Sequence, residues 1–236
     1  MRRSNLIVAE VLHALKNNVR AGVTTLDLER IAEDELSGKD AKPAFKGYRG
    51  YPWCLCTSVN NEVVHGMPSK RVLKDGDIVS IDFGVLHDGF YGDSAITVPV
   101  GAVSPDAARL VKVTEESLDK AIEAAVAGNR LLDISASVQR CVEAQGFSVV
   151  REFVGHGIGR ELHEAPQVPN FGLPGRGIRL KAGMVLAIEP MINMGGPDVK
   201  ILDDGWTAVT ADGSLSAHFE HTVAITAEGP YVLSRL

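Results

Sequence analysis

The chain is short of cysteine. Cys54, Cys56 and Cys141 are the only three in 236 residues, too few and odd in number for a disulfide framework. They read as thiols in a reducing compartment, so a cytoplasmic protein is expected. Long apolar runs are also missing, and no segment approaches the ~20 residues of a membrane span. The opening MRRSNLIVAEVLHALK starts basic and turns apolar, as a signal peptide does, but Asn5, Glu10 and His13 interrupt it. Ile7, Val11, Leu12 and Leu15 share one helical face instead. Positive charge is not in excess: 24 Lys and Arg stand against 30 Asp and Glu, a net charge of −6. With no basic stripe, neither nucleic acid nor an anionic membrane is expected as a partner.

Several chemical signatures are absent as well. There is no P-loop, no G-x-S-x-G and no H-E-x-x-H. HFEH at 218–221 is one residue short of the inverted zinc motif, and PWCLC at 52–56 has the wrong spacing for a zinc deaminase. GHGIGR at 155–160 lacks the third glycine position of a dinucleotide loop. Cys56 and His65 do not make a thiol–base pair, because nothing in the sequence orients the imidazole; Cys56 reads as a pocket or core residue.

What is present is a twofold pattern. AGVTTLDL at 21–28 is echoed by AGNRLLDI at 127–134, where Ala21, Gly22, Leu26 and Asp27 match Ala127, Gly128, Leu132 and Asp133. Each copy lies between two helix-like segments, 4–19 and 26–36 in the first, 105–127 and 132–145 in the second. Ser104 is the expected N-cap and Pro105 the first residue of the third helix, and Gly146 is the expected stop of the fourth. Strand-like material follows each pair, over 54–99 and 147–225. A duplicated α+β architecture places its site in the crevice between halves.

Acidic residues recur in strand patterns. DIVSIDFGVLHDGFYGDSAITV reads as a β-hairpin turning near His87-Asp88-Gly89. Asp82 and Asp93 then fall on one face, directly opposite or diagonal according to the register. Like charges so placed repel, and a cation between them reverses the sign. MVLAIEPMI carries Glu189, and Pro190 is expected to end its regular pairing. SAHFEHTVAIT carries Glu220 inside a strand. A buried lone Glu is rare unless it is paired or binds a metal. The glycine-rich VGHGIGRELHEAP adds His156 and His163, and the residues alone do not choose between them as a ligand. Two Asp, two Glu and one His suit two divalent ions some 3.5–4 Å apart. Oxygen-rich ligation with one imidazole suits Mn(II), Fe(II) or Co(II), with Zn(II) also acceptable.

These residues, with NEVVHGMP (61–68), IDFGVLHDGFYGDSAIT (81–97), GHGIGRELHEAPQVPN (155–170), LAIEP (186–190) and FEHTV (219–223), give the chain its resemblance to the type I methionine aminopeptidases. The resemblance runs over nearly the whole length. It implies the pita-bread fold, an α/β (α+β) single catalytic domain over 1–236 whose pseudo-symmetric halves, about 1–103 and 104–236, enclose a dinuclear metal site. It implies Asp82, Asp93, His156, Glu189 and Glu220 as the metal ligands. His65 and His163 are the implied non-ligand histidines that meet substrate, and Glu189 the implied proton relay. Tyr51, Cys56, Leu162 and Trp206 fall where such enzymes line the methionine pocket; Leu162 departs from members with an aromatic residue there.

The implied activity is metal-assisted removal of the initiator methionine from nascent chains whose second residue is small. The implied partner is the N-terminus of a nascent peptide, with room for a transient ribosome contact, and a monomer is the default. The short lead before the first helix implies a bacterial-type form without a zinc-binding N-terminal extension. The 30 residues between Glu189 and Glu220 leave no space for the helical insertion of type II. Two alternatives stand beside this. One is an Xaa-Pro aminopeptidase or dipeptidase of the same fold, which usually carries an added N-terminal domain. The other is a non-catalytic binding module of that fold, which loses metal ligands that this chain keeps.

Overall fold

The computed structural model describes all 236 residues. Four helices form where the periodicity places them: α1 (Arg2–Asn18), α2 (Thr25–Leu36), α3 (Pro105–Ala124) and α4 (Leu131–Glu143). Ile7, Val11, Leu12 and Leu15 are all buried under α1. Ser104 Oγ accepts from the Ala107 amide at 3.2 Å, a cap whose removal costs about 1 kcal/mol in typical helices. The third helix stops three residues short of the expected 127, and Ala125 to Arg130 form the connection instead.

The echo at 21–28 and 127–134 takes the same structure twice. Asp27 accepts from the Thr24 amide at 2.9 Å at the start of α2. Asp133 accepts from the Arg130 amide at 2.7 Å at the start of α4. Thr24 bridges to Val72 and Arg130 to Arg179, both antiparallel. Each helix pair has its own core. One cluster joins Ile7, Leu15 and Leu28 to Phe83 and Val85; the other joins Leu110, Ile134 and Val138 to Leu186 and Val223. Each such side chain, fully buried, contributes roughly 1.5–3 kcal/mol against exposure.

Both cores lie against one nine-stranded antiparallel sheet. Its strands are β1 (Lys42–Pro43), β2 (Leu55–Val59), β3 (Ile78–His87), β4 (Phe90–Pro99), β5 (Gly155–Gly157), β6 (Glu164–Val168), β7 (Val185–Ile188), β8 (Glu220–Thr226) and β9 (Gly229–Val232). Across the sheet the order is β1-β3-β4-β8-β7-β5-β6, with β2 also on β3 and β9 also on β8. The β3–β4 hairpin turns on Asp88-Gly89, both with positive φ (49° and 73°), as a two-residue hairpin turn of the primed type demands. This register pairs Asp82 with Ala95 and Gly84 with Asp93, so the two aspartates are diagonal neighbours.

Two expected strands are each divided. MVLAIEPMI becomes β7 and a separate strand, Met191–Asn193, in a second sheet; SAHFEHTVAIT becomes Ser216–His218, paired with Met191–Asn193, and then β8. The breaks fall at Glu189-Pro190 and at Phe219. Pro190 has no amide to continue a ladder. The chain therefore changes sheets beside two of the acidic residues singled out above.

Candidate metal centre

Register decides which way the acids point. Residues paired across a ladder share a face, and so do residues two apart along a strand. Asp82 and Glu220 both pair with Ala95, and Asp93 lies two residues from Ala95. His156 pairs with Ala187, which pairs with Thr222, two residues from Glu220; Glu189 lies two residues beyond Ala187. Four neighbouring strands, β3, β4, β8 and β5, thus each send one donor to the same face, and Glu189, the residue that follows β7, adds the fifth. The positions between them are small. At Gly84 a Cβ would stand 3.1 Å from Asp93 Oδ1 and 2.9 Å from the Phe45 ring.

The glycines around His156 have the same explanation. A Cβ at Gly155 would lie 2.4 Å from the Ala187 carbonyl oxygen, and one at Gly157 2.3 Å from that of Ala165. Only glycine lets β5 sit between its neighbours so closely. The chain then loops out and returns as β6. That return brings the His163 ring to 4.2 Å from the His156 ring, centroid to centroid.

Asp93, His156 and Glu220 each offer a ligand atom within 4.8 Å of the others, and all three are buried. Glu189 Oε1 lies 3.6 Å from His156 Nε2. His156 Nδ1 donates to the Gly157 carbonyl at 2.8 Å, which leaves the Nε2 lone pair free on the side of the carboxylates. Asp82 Oδ1, Asp93 Oδ1 and Glu220 Oε1 are buried with no hydrogen-bond partner. Burial pushes all four carboxyl groups above the usual carboxylate range, and for Asp93 the charges of Asp82 and Glu189 add to it. Unpartnered carboxylate oxygens gathered in a dry space cost free energy unless protons or cations meet them. The donor set, oxygen-rich with one imidazole, fits divalent cations.

All five of these residues line one cavity of about 150 Å³, together with both other histidines and the four pocket residues Tyr51, Cys56, Leu162 and Trp206. The Tyr51 hydroxyl donates to the carbonyls of Leu55 (3.1 Å) and Gly66 (3.2 Å), and its ring meets Trp206 edge-on at 5.1 Å. Tyr51, Cys56 and Leu162 are 3%, 4% and 2% exposed, so the inner wall is dry and apolar. His65 has φ of 60°, unusual for a side-chain-bearing residue, and rests edge-on against Phe153. Burial lowers its pKa to about 4, with His163 adding to the effect, so its imidazole is neutral at neutral pH.

Phe45, Tyr48 and Arg49 also line the cavity, and the sequence reading passes over them. The only signal is the glycine-spaced aromatic run AFKGYRGYP. Tyr48 matters most: its hydroxyl meets His163 Nδ1 at 2.9 Å, and this contact orients the ring so that Nε2 faces away from Tyr48. His218 is missed too. It is 1% exposed, neither ring nitrogen has a hydrogen-bond partner, and Nε2 lies 3.8 Å from Glu189 Oε2.

Cys56 pairs with Asp82 across β2 and β3, and burial, then the Asp82 charge, pushes its thiol well above the ordinary range. A thiol held neutral is wall, not nucleophile. Cys56→Ser is expected to keep kcat within about threefold of the parent and to act mainly on KM. Loss of kcat at normal metal content, measured by steady-state kinetics with elemental analysis, would reverse that assignment.

Residues 1–227 match the model of metallopeptidase family M24. The methionine aminopeptidase of Clostridium perfringens is 59% identical over 234 residues, 99% of this chain and 94% of that protein. A crystal structure of methionine aminopeptidase from Thermotoga maritima matches with a TM-score of 0.99 at 48% identity, over 100% of this chain and 95% of that one. The prolidase of Pyrococcus furiosus, 22% identical with a TM-score of 0.80, covers 100% of this chain but 62% of its own, and that likeness extends to the fold alone. No helix is long and apolar enough to cross a membrane. The curled antiparallel sheet with paired helices is the pita-bread fold, and the chain belongs to metallopeptidase family M24, on its methionine aminopeptidase branch.

Proposed function

We propose that this protein removes the initiator methionine from the N-terminus of new polypeptides whose second residue is small. We further propose that Asp82, Asp93, His156, Glu189 and Glu220 hold two divalent ions for that reaction, within one domain built of halves 1–103 and 104–236. One observation carries the reading: four donors on neighbouring strands and a fifth, Glu189, just past the end of β7 line one cavity with a dry apolar wall. Bound divalent ions would supply Lewis acidity and lower the pKa of a water molecule.

The chain's own residues do the rest. Tyr51, Cys56, Leu162 and Trp206 take the methionine side chain, and the cavity of about 150 Å³ has room for little else. The Glu189 carboxylate accepts a proton from the attacking water and returns it to the leaving amine. The neutral imidazole of His163, fixed at Nδ1 by Tyr48, presents Nε2 to the scissile carbonyl and stabilises the charge that develops there. His65, held against Phe153, positions the peptide.

After stripping with EDTA, hydrolysis of Met-Ala-Ser is expected to vanish and to return when Mn(II), Fe(II), Co(II) or Zn(II) is restored singly. Met-Leu-Ser and Ala-Pro are expected to stay uncut. Peptide release measured by chromatography checks this. Undiminished turnover after stripping would overturn metal dependence, and faster cleavage of Ala-Pro than of Met-Ala-Ser would favour the prolidase reading.

A further inference from the structure

One cationic group at the cavity has no carboxylate partner. Arg49 is the sole cationic side chain among the lining residues. It enters no ion pair, and its guanidinium lies over the Tyr48 ring at 5.4 Å from the centroid. Tyr48 in turn stacks on His163, ring centroids 5.2 Å apart. Arg49 and His163 are the exposed members of the lining, so together they mark the mouth. The backbone at Arg49 is left-handed, φ 49° and ψ 25°, between Gly47 and Gly50 at φ of 89° each. A long side chain in that conformation is uncommon, and such outliers concentrate where a residue is held for use.

We infer that Arg49 is a specificity-determining residue that reads the charge of the substrate's third residue and favours an acidic side chain there. The inference rests on the proposed function. If the methionine side chain fills the inner pocket, the rest of the peptide leaves past His163. Successive Cα atoms are about 3.8 Å apart, so the third residue clears the reacting bond by about 7 Å and reaches the rim. The four carboxylates inside would be the partners of the proposed cations, whereas Arg49 is the cationic side chain among the lining residues at the mouth. A carboxylate at the third position can accept from its planar fork in bidentate fashion, which a lysine at that position cannot. The whole protein carries −6 and by itself would favour basic peptides. Charges more than a Debye length away, about 8 Å at physiological ionic strength, are largely screened, so the local arginine prevails.

The test compares kcat/KM for Met-Ala-Asp-Gly, Met-Ala-Asn-Gly and Met-Ala-Lys-Gly, all as C-terminal amides, on the metal-loaded enzyme. Amidation leaves the third side chain as the one varying charge. An exposed pair of this kind is worth about three- to fivefold. The Asp:Lys ratio is expected to be that much larger in the parent than in Arg49→Gln, to survive in Arg49→Lys, and to shrink in 0.5 M KCl. The same ratio in parent and Arg49→Gln, or a preference indifferent to salt, would overturn the inference. A free-acid Met-Ala-Asn arm reports whether Arg49 instead reads only the terminal carboxylate of short peptides, which would equally overturn it. Turnover of the neutral Asn peptide tests the underlying function separately: a normal rate there with an unmoved ratio rejects Arg49 alone, and no cleavage of any peptide rejects both.

Discussion

Metal is expected to raise the melting temperature of this protein, and Asp93→Asn to remove most of that rise. The expectation follows from where the charges lie. Asp93 is 4% exposed, and its Oδ1 has no donor. Burial, and then the neighbouring Asp82 and Glu189, push its carboxyl above the usual range. The metal-free protein therefore holds several carboxyl groups in a dry space, where each carries a cost as an anion. A cation that binds the folded chain and not the unfolded one stabilises by mass action, about 2.7 kcal/mol at a hundredfold excess over Kd. For a domain of this size that is about 5–10 °C. The amide substitution keeps the side chain's shape and removes its charge. Relieved of one like charge, the metal-free variant is expected to melt at or above the metal-free parent, yet to gain little from Mn(II) or Co(II). Thermal melts after EDTA treatment, with and without restored metal, check both halves. A parent whose melting temperature ignores metal would sink the idea.

Much of this site is legible in the sequence because acids inside strand patterns are chemically conspicuous. Asp82 between Ile81 and Phe83, Glu189 after Val-Leu-Ala-Ile and Glu220 before an apolar strand all announce a buried charge that needs a partner. Parity does the next step: period-two alternation puts Asp82 and Asp93 on one face in either hairpin register. The register itself is not legible, since His87-Asp88 and Asp88-Gly89 both make acceptable turns; the positive φ at Asp88 and Gly89 decides it. Strand breaks are hidden for a related reason. Glu189 and Phe219 sit where the chain changes sheets, and an apolar pattern reads straight through such a change. Tyr48 is invisible because its contact spans 115 residues, and local sequence carries no trace of a hydroxyl that reaches a histidine in the distant β5–β6 loop. The echo of 21–28 in 127–134 is faint as sequence and plain as structure, with Asp27 and Asp133 accepting from the amides of Thr24 and Arg130.

The two histidines of VGHGIGRELHEAP should separate cleanly under mutation. They lie 4.2 Å apart, ring to ring, yet their hydrogen bonds differ, and so do the tasks proposed for them. His156 is 6% exposed, donates through Nδ1 to Gly157, and turns Nε2 toward Glu189. That is the tautomer of a ligand. His163 is exposed, and its Nδ1 meets the Tyr48 hydroxyl, which leaves Nε2 free for the proposed contact with the peptide. Removing His156 deletes the one nitrogen among four carboxylates. His156→Ala is therefore expected to bind metal at least tenfold more weakly, by calorimetric titration, and to recover part of its activity as metal is raised. Removing His163 touches no donor of the proposed metal set. His163→Ala is expected to bind metal as the parent does, to melt at the same temperature, and to lose on the order of 10²–10³ in kcat with KM little changed. A transition-state contact behaves in that way, since the ground state barely uses it. Tyr48→Phe offers an internal control, because it frees the His163 ring without removing it and should fall between the parent and His163→Ala in kcat. If instead His163→Ala loses metal while His156→Ala retains it, the ligand is His163, and the face-by-face reading of the sheet is wrong at β5.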